Sequence, residues 1–285
     1  MKRFSICCIL FVLLAFFAKG QFIVPLTQVG STLLYKDSKN KVPDEWRDYF
    51  VKKTRKRLES NSSFSRPPEQ KASSYLKMSV LGDSYSTYKG YLSPDSNEFW
   101  YADTMKYKND LRDVKETWWW ILKENMGWSL EKNNSYSGAT ICNTGYNKRD
   151  FVHRSFVTRM KNIGEPDILF IFGGTNDCWA GSPIGDYKYE KWSKKDLYQF
   201  RPAFAFLINY LKKRHPKMRI INICNSDLHG AYNTSMEEIC KHYQIENIQL
   251  KGIDKQHSHP SVKGMQEIVR QIECILKMDN VINGR

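Results

Sequence analysis

From Tyr75 onward, short apolar runs alternate with longer stretches whose apolar residues recur at helical spacing. Leu76 to Leu81, Ser129 to Asn134, Asp167 to Phe172, Arg219 to Cys224 and Asn247 to Ile253 read as strands. Glu116 to Met126, Arg154 to Ile163, Phe204 to Arg214, Met236 to Tyr243 and Val262 to Lys277 read as helices. The third strand is strongly apolar and is punctuated by Pro166 and Gly173. Strands separated by helices imply parallel β-α-β crossovers. The pattern predicts an α/β fold, a three-layer α/β/α sandwich around a mostly parallel five-stranded sheet, over residues 75–280.

The chain before Tyr75 has a different character. Lys2 and Arg3 precede an apolar run from Phe4 to Ala18, and Ala18-Lys19-Gly20 puts small residues at −3 and −1 before Gln21. That layout predicts a cleavable signal peptide over 1–20 and an exported mature protein, periplasmic or secreted. The run is short for a membrane span, so no stable span is expected after cleavage. Residues 21–74 read as a polar leader with one helix from Asp44 to Glu59, followed by a linker rich in Ser, Asn and Pro.

Composition narrows the choice further. With 41% hydrophobic and 14% aromatic residues, the chain has enough apolar material to exclude disorder throughout. The formal charge of +14 falls by three to +11 without Lys2, Arg3 and Lys19. Its densest cluster, Lys52, Lys53, Arg55, Lys56 and Arg57, is interleaved with Trp46, Tyr49, Phe50 and Leu58 at helical spacing, as on a solvated helix face. No nucleic-acid motif accompanies it, and no nucleic-acid partner is expected. Cleavage would leave Cys142, Cys178, Cys224, Cys240 and Cys274. One or two disulfides are compatible with an oxidising compartment, but the spacing assigns none. No Cys/His spacing suits zinc, and His257 with His259 lacks a nearby third ligand, so neither metal nor cofactor is expected.

In parallel α/β sheets, ligands bind beyond the carboxyl ends of the strands. Four polar motifs fall there in order: Gly82-Asp83-Ser84-Tyr85-Ser86, Ser137-Gly138-Ala139, Gly173-Gly174-Thr175-Asn176-Asp177, and Asp254-Lys255-Gln256-His257-Ser258-His259-Pro260. Each alone is compatible with a turn; four in succession, each at a strand end, are hard to attribute to chance. Asp83 and Asp177 are expected to stabilise their turns through side-chain hydrogen bonds.

Over residues 76–276 the chain resembles the SGNH hydrolases, also called the GDSL family, whose four blocks supply Ser, Gly, Asn and His. The matching residues are Ser84, Gly138, Asn176 and His259. Stretches such as Gly173 to Gly185 and Asp254 to Met265 resemble an exported bacterial branch. The resemblance implies the flavodoxin-like SGNH fold and ester hydrolysis through an acyl-serine intermediate. Ser84 would be the nucleophile and His259 the base, then the acid. The backbone N–H groups of Ser84 and Gly138 and the side-chain amide of Asn176 would form the oxyanion hole. The acid partner departs from the family pattern, which places Asp three residues before the catalytic His. Here that position is Gln256, and Asp254 lies five before His259 and three before His257. His259 is preferred as base because Pro260 and the helix from Val262 follow it as in the family. Asp254 is expected to orient it from a loop longer by two residues, with a backbone carbonyl as the alternative. Tyr85, Trp179 and His257 flank these positions and are expected to line the substrate site. The expected substrate is an acylated small molecule or polysaccharide, with a carbohydrate O-acetylesterase the preferred activity. A lipolytic esterase or thioesterase, or a non-catalytic carbohydrate-binding protein on a hydrolase scaffold, are the alternatives.

Overall fold

A computed structural model describes residues 75–104, 109–226, 228 and 230–282. The expected signal peptide, the expected leader and the helix expected from Asp44 to Glu59 lie outside the described residues.

Five strands form the sheet: β1 (Lys77–Gly82), β2 (Ser129–Ser135), β3 (Ile168–Phe172), β4 (Arg219–Cys224) and β5 (Glu246–Gln249). They run in the order β2-β1-β3-β4-β5, and every neighbouring pair is parallel. The helices are α1 (Trp118–Met126), α2 (Phe156–Arg159), α3 (Thr175–Ala180), α4 (Phe200–Arg214), α5 (Ala231–Tyr243) and α6 (Val262–Ile282).

Side-chain alternation along the strands explains the three layers. Met78, Val80, Ile168, Phe170, Phe172, Ile221 and Ile223 face one side and pack with Trp118, Trp119 and Leu122 of α1 and Met265, Ile268 and Ile272 of α6. Leu81, Leu169, Ile171 and Ile220 face the other side and pack with Phe156 of α2, Phe204, Leu207 and Leu211 of α4 and Met236 and Ile239 of α5. All five β3 residues are buried because helices cover both faces, which is why its sequence reads as a continuous apolar run. Each large apolar side chain buried this way contributes roughly 1.5–3 kcal/mol.

Three elements differ from the pattern-based reading. The expected helix from Arg154 to Ile163 contracts to α2. There the Asn134 side chain donates to the carbonyls of Arg159 and Asn162, and the Arg159 side chain turns inward to the carbonyls of Gly82 and Asn134. The expected strand from Asn247 to Ile253 pairs only as far as Gln249, and the chain then turns at Gly252 (φ +59°). A short helix, α3, forms within the polar Gly-Gly-Thr-Asn-Asp motif, between Gly174 (φ +87°) and Gly181 (φ +61°).

The strand order reverses between β1 and β3, since β1 leads back to β2 while β3 leads on to β4 and β5. The crevice at such a switch point is where open α/β sheets bind ligands. The turns that follow β1 and β3 carry Ser84 and Asn176.

Candidate active site

Immediately after β1, Asp83 accepts a hydrogen bond from the Tyr85 N–H (3.0 Å) and caps a single 3₁₀ turn, Ser84–Ser86. The turn is tied to the sheet by the Asp83 N–H, which donates to the Phe172 carbonyl (3.2 Å). It is tied to α1 by the Trp118 indole, which donates to Ser86 Oγ (3.1 Å). Ser84 is 4% exposed, and its own N–H has no acceptor among the described residues.

His259 reaches Ser84 from the far end of the chain: His259 Nε2 lies 3.0 Å from Ser84 Oγ. The residues before it form a minimal antiparallel hairpin, β6 (Lys255–Gln256) and β7 (His259–Pro260). His257 (φ +48°) and Ser258 (φ +63°) make its two-residue turn, with both φ values positive as in a type I′ turn. That conformation aims the His257 carbonyl back at the ring, with its oxygen 2.9 Å from His259 Nδ1. A carbonyl oxygen only accepts, so Nδ1 carries the proton and Nε2 presents its lone pair to the Ser84 hydroxyl. Burial pushes the His259 pKa down to about 4; the bond to the His257 carbonyl opposes this, and Lys255 adds to it. The imidazole is therefore a neutral base across the neutral range.

Asp254 does not orient His259, contrary to the expectation from the sequence. The hairpin register pairs Lys255 with Pro260 and Gln256 with His259, so the next pair outward is Asp254 with Ser261. There Ser261 Oγ donates to the Asp254 carboxylate, and the Ser261 N–H donates to the Asp254 carbonyl. Ser261 Oγ in turn accepts from the Gly264 N–H (3.1 Å), so Asp254 braces the start of α6. The two extra residues in the loop are the turn itself.

The residues expected to form the oxyanion site are held from below. Gly138 sits at φ +73°, a conformation that disfavours any side chain, and its N–H has no acceptor among the described residues. Asn176 Nδ2 donates to the Ala139 carbonyl (3.0 Å), with Asp83 Oδ2 at 3.5 Å, while its Oδ1 accepts from the Tyr146 hydroxyl (2.7 Å). The Tyr146 bond orients the amide so that its N–H₂ faces the Gly138 loop. Asp177 accepts from the N–H groups of Ile141 (2.7 Å) and Cys142 (3.1 Å), clamping the same loop one residue further along α3. Burial raises the Asp83 carboxyl to about 7 against the Tyr85 N–H and Arg159, and raises Asp177 to about 6 against its two backbone donors.

Several contacts had no motif to announce them. The Trp100 indole lies flat on the His259 ring, with centroids 3.7 Å apart and planes within 6°. Tyr146, which orients Asn176, and Arg159, buried beneath Gly82, likewise stand outside the four motifs. A cluster of aromatics at Phe99-Trp100-Tyr101 was the only sequence signal for the first of these. Beside Gly138, the Arg154 guanidinium pairs with Glu98 (3.1 Å) and lies over the Tyr136 ring (4.7 Å).

The expected substrate-lining residues divide. Tyr85 is only 1% exposed and braces the hairpin instead, donating its hydroxyl to the Ser258 carbonyl (2.6 Å) and meeting His259 edge-on (5.3 Å). Its buried position leaves no face for substrate, which corrects that expectation. Trp179 is 42% exposed and stands three residues beyond Asn176, on the same side of α3. His257 contributes its carbonyl inward, while its side chain is exposed. The five cysteines among the described residues, Cys142, Cys178, Cys224, Cys240 and Cys274, are free thiols. Among the described residues, no group of three His, Cys, Asp or Glu side chains could hold a metal ion, and no helix is long and apolar enough to cross a membrane.

Comparison with known proteins identifies the family and the fold. Residues 76–276 match the GDSL-like lipase/acylhydrolase family. A crystal structure from Bacteroides ovatus, designated a GDSL-like lipase, is 52% identical, with a TM-score of 0.71 over 72% of this chain and 99% of that one. A second, from Bacteroides uniformis with the same designation, is 55% identical, with a TM-score of 0.68 over 70% of this chain and 93% of that one. A carbohydrate esterase shares the fold alone, at 17% identity and a TM-score of 0.52 over 71% of this chain and 68% of that one. Comparison with curated proteins gave no match. With its four motifs, its sheet order and these relatives in agreement, the chain belongs to the GDSL-like lipase/acylhydrolase family.

Proposed function

We propose that this protein is a serine esterase that removes acetyl groups from carbohydrate, with Ser84 as nucleophile and His259 as base in a dyad completed by the His257 carbonyl. The observation that carries the reading is the 3.0 Å contact between His259 Nε2 and Ser84 Oγ, with Nδ1 protonated toward a fixed acceptor. A serine hydroxyl attacks an ester carbonyl only as its proton is taken up. His259 accepts that proton as the Oγ–C bond forms, then returns it to the departing alcohol oxygen. Negative charge collects on the former carbonyl oxygen, and this reading assigns to it the Ser84 and Gly138 N–H groups and Asn176 Nδ2 as donors, the last on release of its 3.5 Å contact with Asp83. One such donor typically contributes about 100- to 1000-fold in rate. Water then repeats the sequence on the acyl-serine and releases the acid.

The carbohydrate part of the reading is supported by the polar rim beside Gly138, where Glu98, Arg154 and the half-buried Tyr136 offer charged and hydroxyl partners. Sugar hydroxyls suit such a rim better than an alkyl chain does. Trp179 would add an aromatic wall to it. The segment 1–20 supports action outside the cytoplasm. A fluorophosphonate should label the wild type and not Ser84→Ala, and the wild type should release acetate from acetylated xylan faster than it cleaves long-chain acyl esters. Equal labelling of Ser84→Ala would defeat the nucleophile. A preference for long acyl chains would replace the carbohydrate reading with a lipolytic one.

A further inference from the structure

With Asp254 turned away, His259 has no carboxylate at Nδ1, only a neutral carbonyl. Neither the hold on the ring nor the stabilisation of the imidazolium that forms during attack is then supplied in the usual way. We propose that Trp100 is the positioning residue for His259, supplying by face-to-face stacking both the hold on the ring and part of the stabilisation of its charged form. The inference rests on the serine-esterase reading above.

Three observations carry it. First, the stack is close and flat, 3.7 Å between centroids and 6° between planes, so the imidazole cannot swing off Ser84 without leaving the indole. Tyr85 and Tyr101 meet the same ring edge-on, so it is confined on several sides. Secondly, the face of an aromatic ring is electron-rich, and the indole is the strongest such face for a cation. As His259 takes the Ser84 proton, the attraction grows, and an interaction stronger in the transition state than in the ground state raises kcat. Thirdly, Trp100 is anchored to the parts it must align. Its N–H donates to Thr87 Oγ1 (2.8 Å), and Thr87 Oγ1 donates to the Ser84 carbonyl (3.0 Å). Two residues earlier, the Glu98 carbonyl accepts from the Ser137 N–H (2.8 Å), beside Gly138. One residue later, the Tyr101 hydroxyl donates to the Pro260 carbonyl (2.8 Å). The segment 98–101 therefore touches the nucleophile turn, the oxyanion loop and the base hairpin at once.

The test compares wild type, Trp100→Phe, Trp100→Leu and Trp100→Met in the full chain. The readouts are the rate of fluorophosphonate labelling, kcat and KM on a small neutral acetate ester, and circular dichroism for folding. Trp100→Leu and Trp100→Met keep an apolar side chain without an aromatic face. Each should lower the labelling rate and kcat about 10-fold or more with KM changed less than about 3-fold, and Trp100→Phe should recover most of the loss. Labelling of Trp100→Leu and Trp100→Met at the wild-type rate would overturn the proposal. A loss confined to KM would make Trp100 a substrate wall and overturn it as well, as would unfolding of both. No labelling of the wild type would instead defeat the serine-esterase reading on which the proposal stands.

Discussion

Around Asn176, position is held by side chains. Asp177 grips two backbone N–H groups, Tyr146 orients the amide, and Asp83 and Arg159 lie buried beneath. Around His259, the acceptor at Nδ1 comes from the main chain, while the Trp100 indole covers one face of the ring. A two-residue turn with both φ values positive directs one carbonyl at the ring, and the carboxylate five residues earlier takes no part in orienting it. The first arrangement needs particular residue types at α3 and is costly to change, because it is buried and every acceptor is committed. The Nδ1 acceptor of the second needs only a backbone shape, which many residues can supply at the expense of local strain. An oxyanion site must be rigid before substrate arrives, and a base must remain neutral and aimed. Under the proposed roles, the two constructions meet those different demands.

The sharpest way to break the contrast is at Asn176. Asn176→Ala should lower kcat about 100- to 1000-fold with the fold intact, measured on any activated acetate ester. A loss below about 5-fold would remove Asn176 from the oxyanion site.

Asp177→Asn comes next. One of the Ile141 and Cys142 N–H groups would then face an N–H₂ rather than an oxygen. Denaturant titration should show about 1–3 kcal/mol of lost stability, with kcat reduced on the order of 10-fold as the Gly138 loop loosens. Unchanged kcat alongside the lost stability would make the clamp purely structural.

The pH dependence probes the base half. Because burial lowers the His259 pKa to about 4, the base stays deprotonated well below neutrality. The acid limb set by the base itself should therefore lie near 4, below any step from the buried Asp83 and Asp177 carboxyls, which are raised to about 7 and about 6. Linkage has the same sign. An unfolded histidine takes up a proton near its ordinary value of 6.5 and the folded one does not. This ring's contribution is therefore constant above 6.5, and stability is lost as pH falls from there through 4. A His259 ring titrating at 6.5 by NMR would show that it is more solvated than the structure indicates.

The smallest effects are expected in the hairpin. Asp254→Asn should leave kcat/KM within about 3-fold of wild type, where loss of a true carboxylate orienter costs about 10⁴-fold. Any loss of stability would come through Ser261 and the start of α6. His257→Gly keeps the carbonyl and suits the positive φ, so activity should persist within about 2-fold and thermal stability should change by no more than about 1 kcal/mol. A large drop in Asp254→Asn would restore the triad and collapse the distinction between the two halves.

Much of this was legible before folding. Strand ends are marked by changes from apolar runs to Gly, Ser, Asn and Asp, and in a parallel sheet all those ends open on one crevice. Ser84, Gly138, Asn176 and His259 could thus be gathered from four separated motifs, and the sheet order then brings Ser84 and Asn176 to the switch point. The local signals failed where a segment's backbone groups were diverted by distant partners. Asn134 takes the carbonyls that would have lengthened α2, and Gly252 turns the chain where an apolar run suggested more strand.

The order of chain elements and the place of each motif at a strand end are properties of residue type and period, which act locally and can be read along the chain; the proposed roles of Ser84 and His259 come from the family resemblance. What faces His259 is another matter. Whether Nδ1 meets Asp254 or a carbonyl depends on a hairpin register that puts Asp254 opposite Ser261, a shift too small for any motif to specify. The Trp100 stack and the Tyr146 bond join residues 159 and 30 positions apart, and only packing decides such pairs.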